Sequence, residues 1–147
     1  MNGMKNKATD TYENRCKGRV AEDLFEEWCK KKDIRFIRSG FDEQKEPMKR
    51  YFDVHPTLRS IPDYMVEAKD GKITWVHIKG TGNFKINDLF LYHEFDQNLR
   101  GNCKMLVGFC FRGKDPIFKT FKEIQKQLTG KTIKEWDDGK QYIHLDL

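Results

Sequence analysis

The sequence predicts a single α/β domain built on a mixed central β-sheet flanked by helices. Three observations carry that prediction: an amphipathic helix opens the chain, a two-strand hairpin lies near its middle, and a nearly continuous apolar strand follows the next helix. Residues 1–9 are polar and are expected to be loose. From about Thr11 to Lys32, Val20, Ala21, Leu24, Phe25, Trp28 and Cys29 form one apolar helical stripe, and Lys30, Lys31 and Lys32 suit the helix dipole in its last turn. "IRFIRSG" (34–40) alternates as a short strand. Residues 41–60 carry two prolines and many charges without a period, which reads as a long loop of the functional or mobile kind.

"PDYMVEA" (62–68) reads as a strand, "KDGK" as a tight turn around Asp70-Gly71, and "ITWVHIKG" (73–80) as the partner strand. Pro62 fits the first residue of a strand. "INDLFLYHEFDQNL" (86–99) is helical, with Asn87 or Asp88 as candidate caps. "CKMLVGFCF" (103–111) has the continuous apolar character of a strand covered on both faces. "PIFKTFKEIQKQL" (116–128) reads as an amphipathic helix begun by Pro116, and "TIKEW-DDGK-QYIHLDL" closes the chain as a hairpin.

The chain of 147 residues is expected to form one domain that buries about two-thirds of its unfolded surface. Charged residues make up 35%, yet 13% aromatics argue against wholesale disorder. A net charge of +5 and a pI near 9.0 point to a polyanionic partner. No apolar run reaches bilayer length and the N-terminus has no apolar signal region, so the expectation is a cytoplasmic protein without a membrane partner. Four cysteines (Cys16, Cys29, Cys103, Cys110) without C-x-x-C spacing read as reduced thiols, mostly buried.

Strand parity assembles a candidate site. Ile73, Trp75, His77 and Lys79 share one face of the second hairpin strand, and Asp63, Met65 and Glu67 share one face of the first. The tight turn brings Asp63 opposite the His77–Lys79 region, so a carboxylate, an imidazole and an amine converge at the open end of a hairpin. Asp63 there suits a divalent cation, and Lys79 suits an attacking water or a phosphate oxygen. The plain alternatives are a turn-capping Asp63, a solvated Lys79 and a packed His77. Glu67-Ala68-Lys69 also spells E-x-K, but it has no room for a hairpin between its acid and Asp63.

The string Pro62-Asp63 … His77-Ile78-Lys79-Gly80-Thr81 resembles the signature of the PD-(D/E)XK nuclease superfamily, with His77 in the usually acidic position. The order of elements is similar to that superfamily's restriction-endonuclease-like αβββαβ core. "GRVAEDLFEEW" (18–28) resembles the first-helix segment of Holliday-junction-resolvase-like and restriction-like members, in which Glu22 takes the place of a metal-binding glutamate; by itself it is one acid among Asp23, Glu26 and Glu27. The resemblance spans roughly residues 12–111.

It implies a metal-dependent DNA endonuclease of the recombination or repair type. Asp63, Glu22, the Ile78 carbonyl and His77 would hold Mg²⁺ or Mn²⁺, while Lys79 orients and activates water. Lys85, which follows the glycine-rich "GTGNF", and the loop cations Lys49, Arg50 and Arg59 are the expected contacts to the DNA backbone. A homodimer is compatible with this reading. The alternatives are a nuclease fold without catalysis, serving as a DNA-binding or assembly module, and an unrelated α/β interaction domain.

Overall fold

The computed structural model describes residues 7–39, 61–101 and 103–147, with the helical backbone alone for residues 7–16. Helix α1 runs Lys7–Lys31, so residues 7–9 are helical rather than loose. Strands β1 (Phe36–Arg38), β2 (Tyr64–Glu67) and β3 (Ile73–Lys79) follow, then β4 (Asn83–Lys85) and helix α2 (Ile86–Asn98). The chain continues through β5 (Lys104–Phe109), β6 (Ile117–Thr120), helix α3 (Phe121–Leu128), β7 (Lys134–Glu135) and β8 (Gln141–His144). Residues 41–60, including Lys49, Arg50 and Arg59 and expected from the sequence to form a loop, lie outside the described residues.

The main sheet has the order β1-β2-β3-β5-β6. β1, β2 and β3 pair antiparallel, with Tyr64 opposite Val76 and Met65 opposite Trp75. After the α2 crossover, β5 pairs parallel to β3, with His77 beside Val107 and Lys79 beside Phe109. The sheet is therefore mixed, and the protein is a small single α/β domain with three helices among the described residues.

β3 is the central strand, and its alternation sorts two cores onto two faces. Val76 and Ile78 turn toward α1, where they pack with Ala21, Phe25, Cys29, Tyr64 and Cys110. On the other face, Val107 and Phe109 of β5 join Phe84, Ile124, Leu128 and Leu145, flanked by Leu89 and Tyr92 of α2. Burial lifts the Cys29 thiol to about 11 and the Cys110 thiol to about 12, so both remain protonated packing groups. Cys103 is also free.

Two further local readings of the sequence need correction. Residues 117–120 are strand rather than helix: they pair with β5, and the helix starts only after Thr120. The signal is a capping box, in which the Thr120 hydroxyl accepts from the Glu123 amide at 3.1 Å and the Glu123 carboxylate accepts from the Thr120 amide at 3.2 Å. Helix α2 is preceded by Lys85 and has no side-chain cap, so neither Asn87 nor Asp88 plays that part. The C-terminal hairpin forms as expected, but β8 also pairs with β4 to make a second, three-stranded sheet.

The glycine-rich stretch after β3 serves internal packing. A Cβ on Gly80 would stand 2.5 Å from the Lys17 carbonyl oxygen of α1, and one on Gly82 would overlap the Leu145 carbonyl. These glycines let helix and C-terminal backbone close against the end of β3. Gly80→Ala must push α1 outward, and we expect it to cost about 1–3 kcal/mol in a urea-unfolding measurement, without loss of secondary structure by circular dichroism.

Candidate active-site cleft

The first four residues of the site are set by the hairpin itself. Beyond the last paired residues of β2 and β3, the Ile78 amide turns to a side chain and donates to Asp63 Oδ2 at 2.8 Å. The Asp63 backbone is pinned from the other side, because its carbonyl accepts from the Ser39 amide at 2.8 Å. The Ser39 hydroxyl donates to the Pro62 carbonyl at 2.9 Å. The Pro-Asp pair is thus fixed between the end of β1 and the end of β3, with its carboxylate at the strand mouth.

Helix α2 completes the site by running along the odd-numbered face of β3. Phe95 packs on Trp75 with ring centroids 5.4 Å apart, and Tyr92 on His77 at 4.1 Å. One helical step of three or four residues rises about 4.5–6 Å and two strand residues rise about 6.6 Å, so the stripes stay in step. The next member of the helical stripe is Asp88, and the next odd residue of β3 is Lys79. Asp88 is the leading opposite charge acting on Lys79, ahead of Asp63. The Lys79 amine also sits over the Phe84 ring, 4.5 Å from its centroid.

Asp63, His77, Ile78, Lys79, Asp88 and Tyr92 all line one cleft of about 1160 Å³, which Lys85, Trp136 and Lys140 border as well. Lys85 is exposed at its edge. Glu22 is placed differently. It lies on the α1 side of the sheet, where its carboxylate meets the Arg38 guanidinium at 2.6 Å. Arg38 also binds Glu26 at 3.4 Å and the Tyr64 hydroxyl at 3.1 Å, and that hydroxyl donates to Glu26. Glu22 reaches Asp63 through its field, raising the Asp63 pKa while Arg38 lowers it.

Burial moves the two central charges toward one another. It pushes the Asp63 carboxyl up to about 7, against the Ile78 hydrogen bond that favours the anion. It brings Lys79 down to about 8, against the pull of Asp88 and Asp63. Near neutrality, therefore, both groups exchange protons readily, a property common at reaction centres. Burial, with some help from Lys79, holds His77 near 3, so its imidazole stays neutral throughout the physiological range. Its protonation near pH 6, a natural expectation for an exposed histidine, does not govern this site. Tyr92 is raised above the ordinary phenol value by burial and by the charges of Asp88 and Asp63.

A divalent metal is the group that the sequence resemblance implies. Among the described residues, no three His, Cys, Asp or Glu side chains gather closely enough to hold one. Two donors nevertheless fit. His77 Nε2 is buried and has no hydrogen-bond partner, and Asp63 presents a carboxylate to the same cleft. This donor pair suits a weakly held ion whose remaining ligands are water or phosphate oxygens, as is usual for Mg²⁺ in phosphoryl chemistry.

The structure thus brings together Asp63, His77, Ile78 and Lys79, with Lys85 at the rim, and sets Glu22 apart on α1. Asp88 and Tyr92 were not identified as site residues by sequence reasoning. Their spacing of four places them on one helical face, but only the packing of α2 shows that this face covers β3. Comparison with protein-family models and with curated proteins yields no match for the chain.

The raised Asp63 pKa carries a cost that can be read directly. A carboxyl whose folded pKa exceeds its ordinary value of 3.8 destabilises the fold progressively as pH rises from there, and fully above about 7. Asp63→Asn should therefore stabilise the protein by about 2–3 kcal/mol at pH 8. The gain should vanish near pH 3.5, where both side chains are neutral. Urea unfolding of the two proteins across this range is the measurement.

Proposed function

We propose that the protein is a metal-dependent deoxyribonuclease that hydrolyses phosphodiester bonds, with Asp63 and Lys79 at its centre. The observation that carries this reading is the Asp63 carboxylate, clamped by the Ile78 amide in a cleft that Lys79 shares. The strand arrangement supports a restriction-endonuclease-like core: three antiparallel strands, a helical crossover, then β5 parallel to β3. The basic net charge supports a polyanionic substrate, with Lys85 at the cleft rim and Lys49, Arg50 and Arg59 as further phosphate contacts on the sequence reading.

Mg²⁺ or Mn²⁺ would be held by Asp63 and His77, with the Ile78 carbonyl as a further oxygen; Glu22, engaged by Arg38 on the α1 side, would act only through its field on Asp63. When bound, the ion polarises the scissile phosphate and stabilises the charge that builds on it. Lys79 contributes in both of its protonation states: as an ammonium it holds a phosphate oxygen, and as an amine it accepts a proton from the attacking water. Asp88 balances the charge of Lys79 from the other wall of the cleft. An imidazole in place of a carboxylate favours Mn²⁺ over Mg²⁺.

A second reading, a nuclease fold that binds DNA without cutting it, is favoured by the absence of a three-donor cluster among the described residues. A cleavage assay on branched and linear DNA decides between them. The nuclease reading expects activity with Mn²⁺ exceeding that with Mg²⁺, at least a 100-fold loss in Asp63→Ala and in Lys79→Ala, and a rate that climbs as pH passes through about 7. Retained DNA binding with no cleavage by the wild-type protein in any metal selects the second reading.

Metal binding gives a check that does not depend on activity. Because the proton and the cation compete for Asp63, Mn²⁺ affinity measured by calorimetry should fall about tenfold per pH unit below 7. It should be lost in Asp63→Ala and weakened in His77→Ala. An affinity that is flat with pH would place the ion elsewhere.

A further inference from the structure

The chemistry of Asp63 and Lys79 leaves two aromatic side chains of the cleft without a role. Phe90 projects from α2 with 70% of its surface exposed, although it lines the cleft. Trp136 lines it from the β7–β8 hairpin, where its ring lies on Tyr142 at 4.2 Å and 13°. The turn beneath the indole is fixed, since the Trp136 amide donates to the Lys140 carbonyl and the Gly139 amide to the Trp136 carbonyl, each at 2.9 Å.

Cations accompany these rings. Lys85 and Lys140 line the same cleft; Lys140 keeps a long 3.9 Å contact with Asp138, and Asp63 and Asp88 are the cleft's own carboxylates. Exposed aromatic faces interleaved with lysines are the arrangement that holds unstacked bases and tracks the phosphates between them. In a duplex the base faces are covered by their neighbours and cannot use such rings. Phe90 is also dispensable for the packing of α2 on the sheet, which runs through Tyr92 and Phe95.

We infer that the cleft takes a single-stranded or frayed DNA segment, with an unstacked base on Phe90, a second on Trp136, and the intervening phosphates on Lys85 and Lys140. The inference deepens the nuclease reading, and rests on it for placing DNA in this cleft. It narrows the substrate from DNA in general to strands with free bases: ends, gaps, flaps or the open arms of branches. Phe90 also borders a smaller apolar groove of about 430 Å³ between α2 and α3, which gives a second copy of the chain as the competing occupant.

Binding measured in EDTA separates this inference from catalysis. Fluorescence anisotropy is read on a labelled 12-nucleotide single strand and on a blunt duplex of the same sequence, at matched salt. The wild type is expected to prefer the single strand at least tenfold. Phe90→Ala should weaken single-strand binding about 5- to 50-fold with the duplex affinity unchanged, and Phe90→Trp should restore it. Trp136→Phe should retain most of the affinity but lose the tryptophan quenching seen when the single strand binds.

Phe90 is exposed, so its variants are expected to fold, which circular dichroism verifies. Equal affinity for the two DNAs, or an equal loss for both in Phe90→Ala, overturns the inference. So does a concentration-dependent dimer that Phe90→Ala dissociates without change in DNA preference. Asp63→Ala should keep the single-strand preference while losing cleavage. If the wild type cleaves nothing yet shows a Phe90-dependent single-strand preference, the nuclease reading fails and this one stands.

Discussion

β3 is paired on both edges and covered on both faces, and the alternation of its side chains governs the rest of the molecule. Val76 and Ile78 are committed to the apolar layer beneath α1, which leaves Trp75, His77 and Lys79 no choice but the α2 face. A slip of one residue would bury the Lys79 amine under α1 and expose Val76 and Ile78, an exchange that a domain of this size cannot sustain. The core therefore fixes the register, and the register fixes where the chemistry lies. The single departure from pure strand pairing is the Ile78 amide, which holds Asp63 instead of continuing the ladder to β2.

Having been placed there by packing, the charges of the cleft are held at a disadvantage. Asp63 and Lys79 are each displaced toward their neutral forms by burial; the Ile78 hydrogen bond draws Asp63 back in part and Asp88 draws Lys79 back in part, with a smaller pull of each on the other. A carboxylate and an ammonium in water would sit several pH units on either side of neutrality; here the two values nearly meet. That convergence places a proton-holding and a proton-accepting group in the same pH range, at the expense of fold stability. The Arg38 cluster works in the opposite sense. By binding Glu22 and Glu26 on the α1 side, it limits the negative field that would otherwise raise Asp63 further.

Much of this was legible in the sequence because it follows short-range rules. The period of two in "ITWVHIKG", the turn at Asp70-Gly71 and the apolar stripe of α1 each determine local structure without help from distant residues. Asp63, His77 and Lys79 came together for the same reason. What was not legible depends on partners far along the chain. β4 is a strand only because β8, about sixty residues later, pairs with it. "PIFKT" has a pattern compatible with the first turn of a helix, and it becomes β6 because β5 offers an open edge. The Thr120–Glu123 box marks the true start of α3, but Pro116 offered an equally acceptable start four residues earlier. Asp88 and Tyr92 entered the site only through the packing of α2, a contact that no local pattern encodes.

The imidazole at position 77 makes sense in that crowded setting. The side chain there is 5% exposed, packs against Tyr92 with the two rings tilted by 38°, and shares its face with Lys79. A carboxylate in its place would be the third acid around one ammonium, alongside Asp63 and Asp88, and the least solvated of the three. Its burial would either force it to take up a proton or push Asp63 still higher. Neutral histidine avoids both outcomes. It fills the space under Tyr92, adds no charge, and keeps one nitrogen lone pair or N–H directed at no protein group. Around Lys79 the balance is then two acids, Asp88 and Asp63, against the neighbouring Lys85, and Lys79 and Asp63 retain their near-neutral values. Asp88, reaching across from α2, gives Lys79 a counter-charge that the neutral imidazole at position 77 does not.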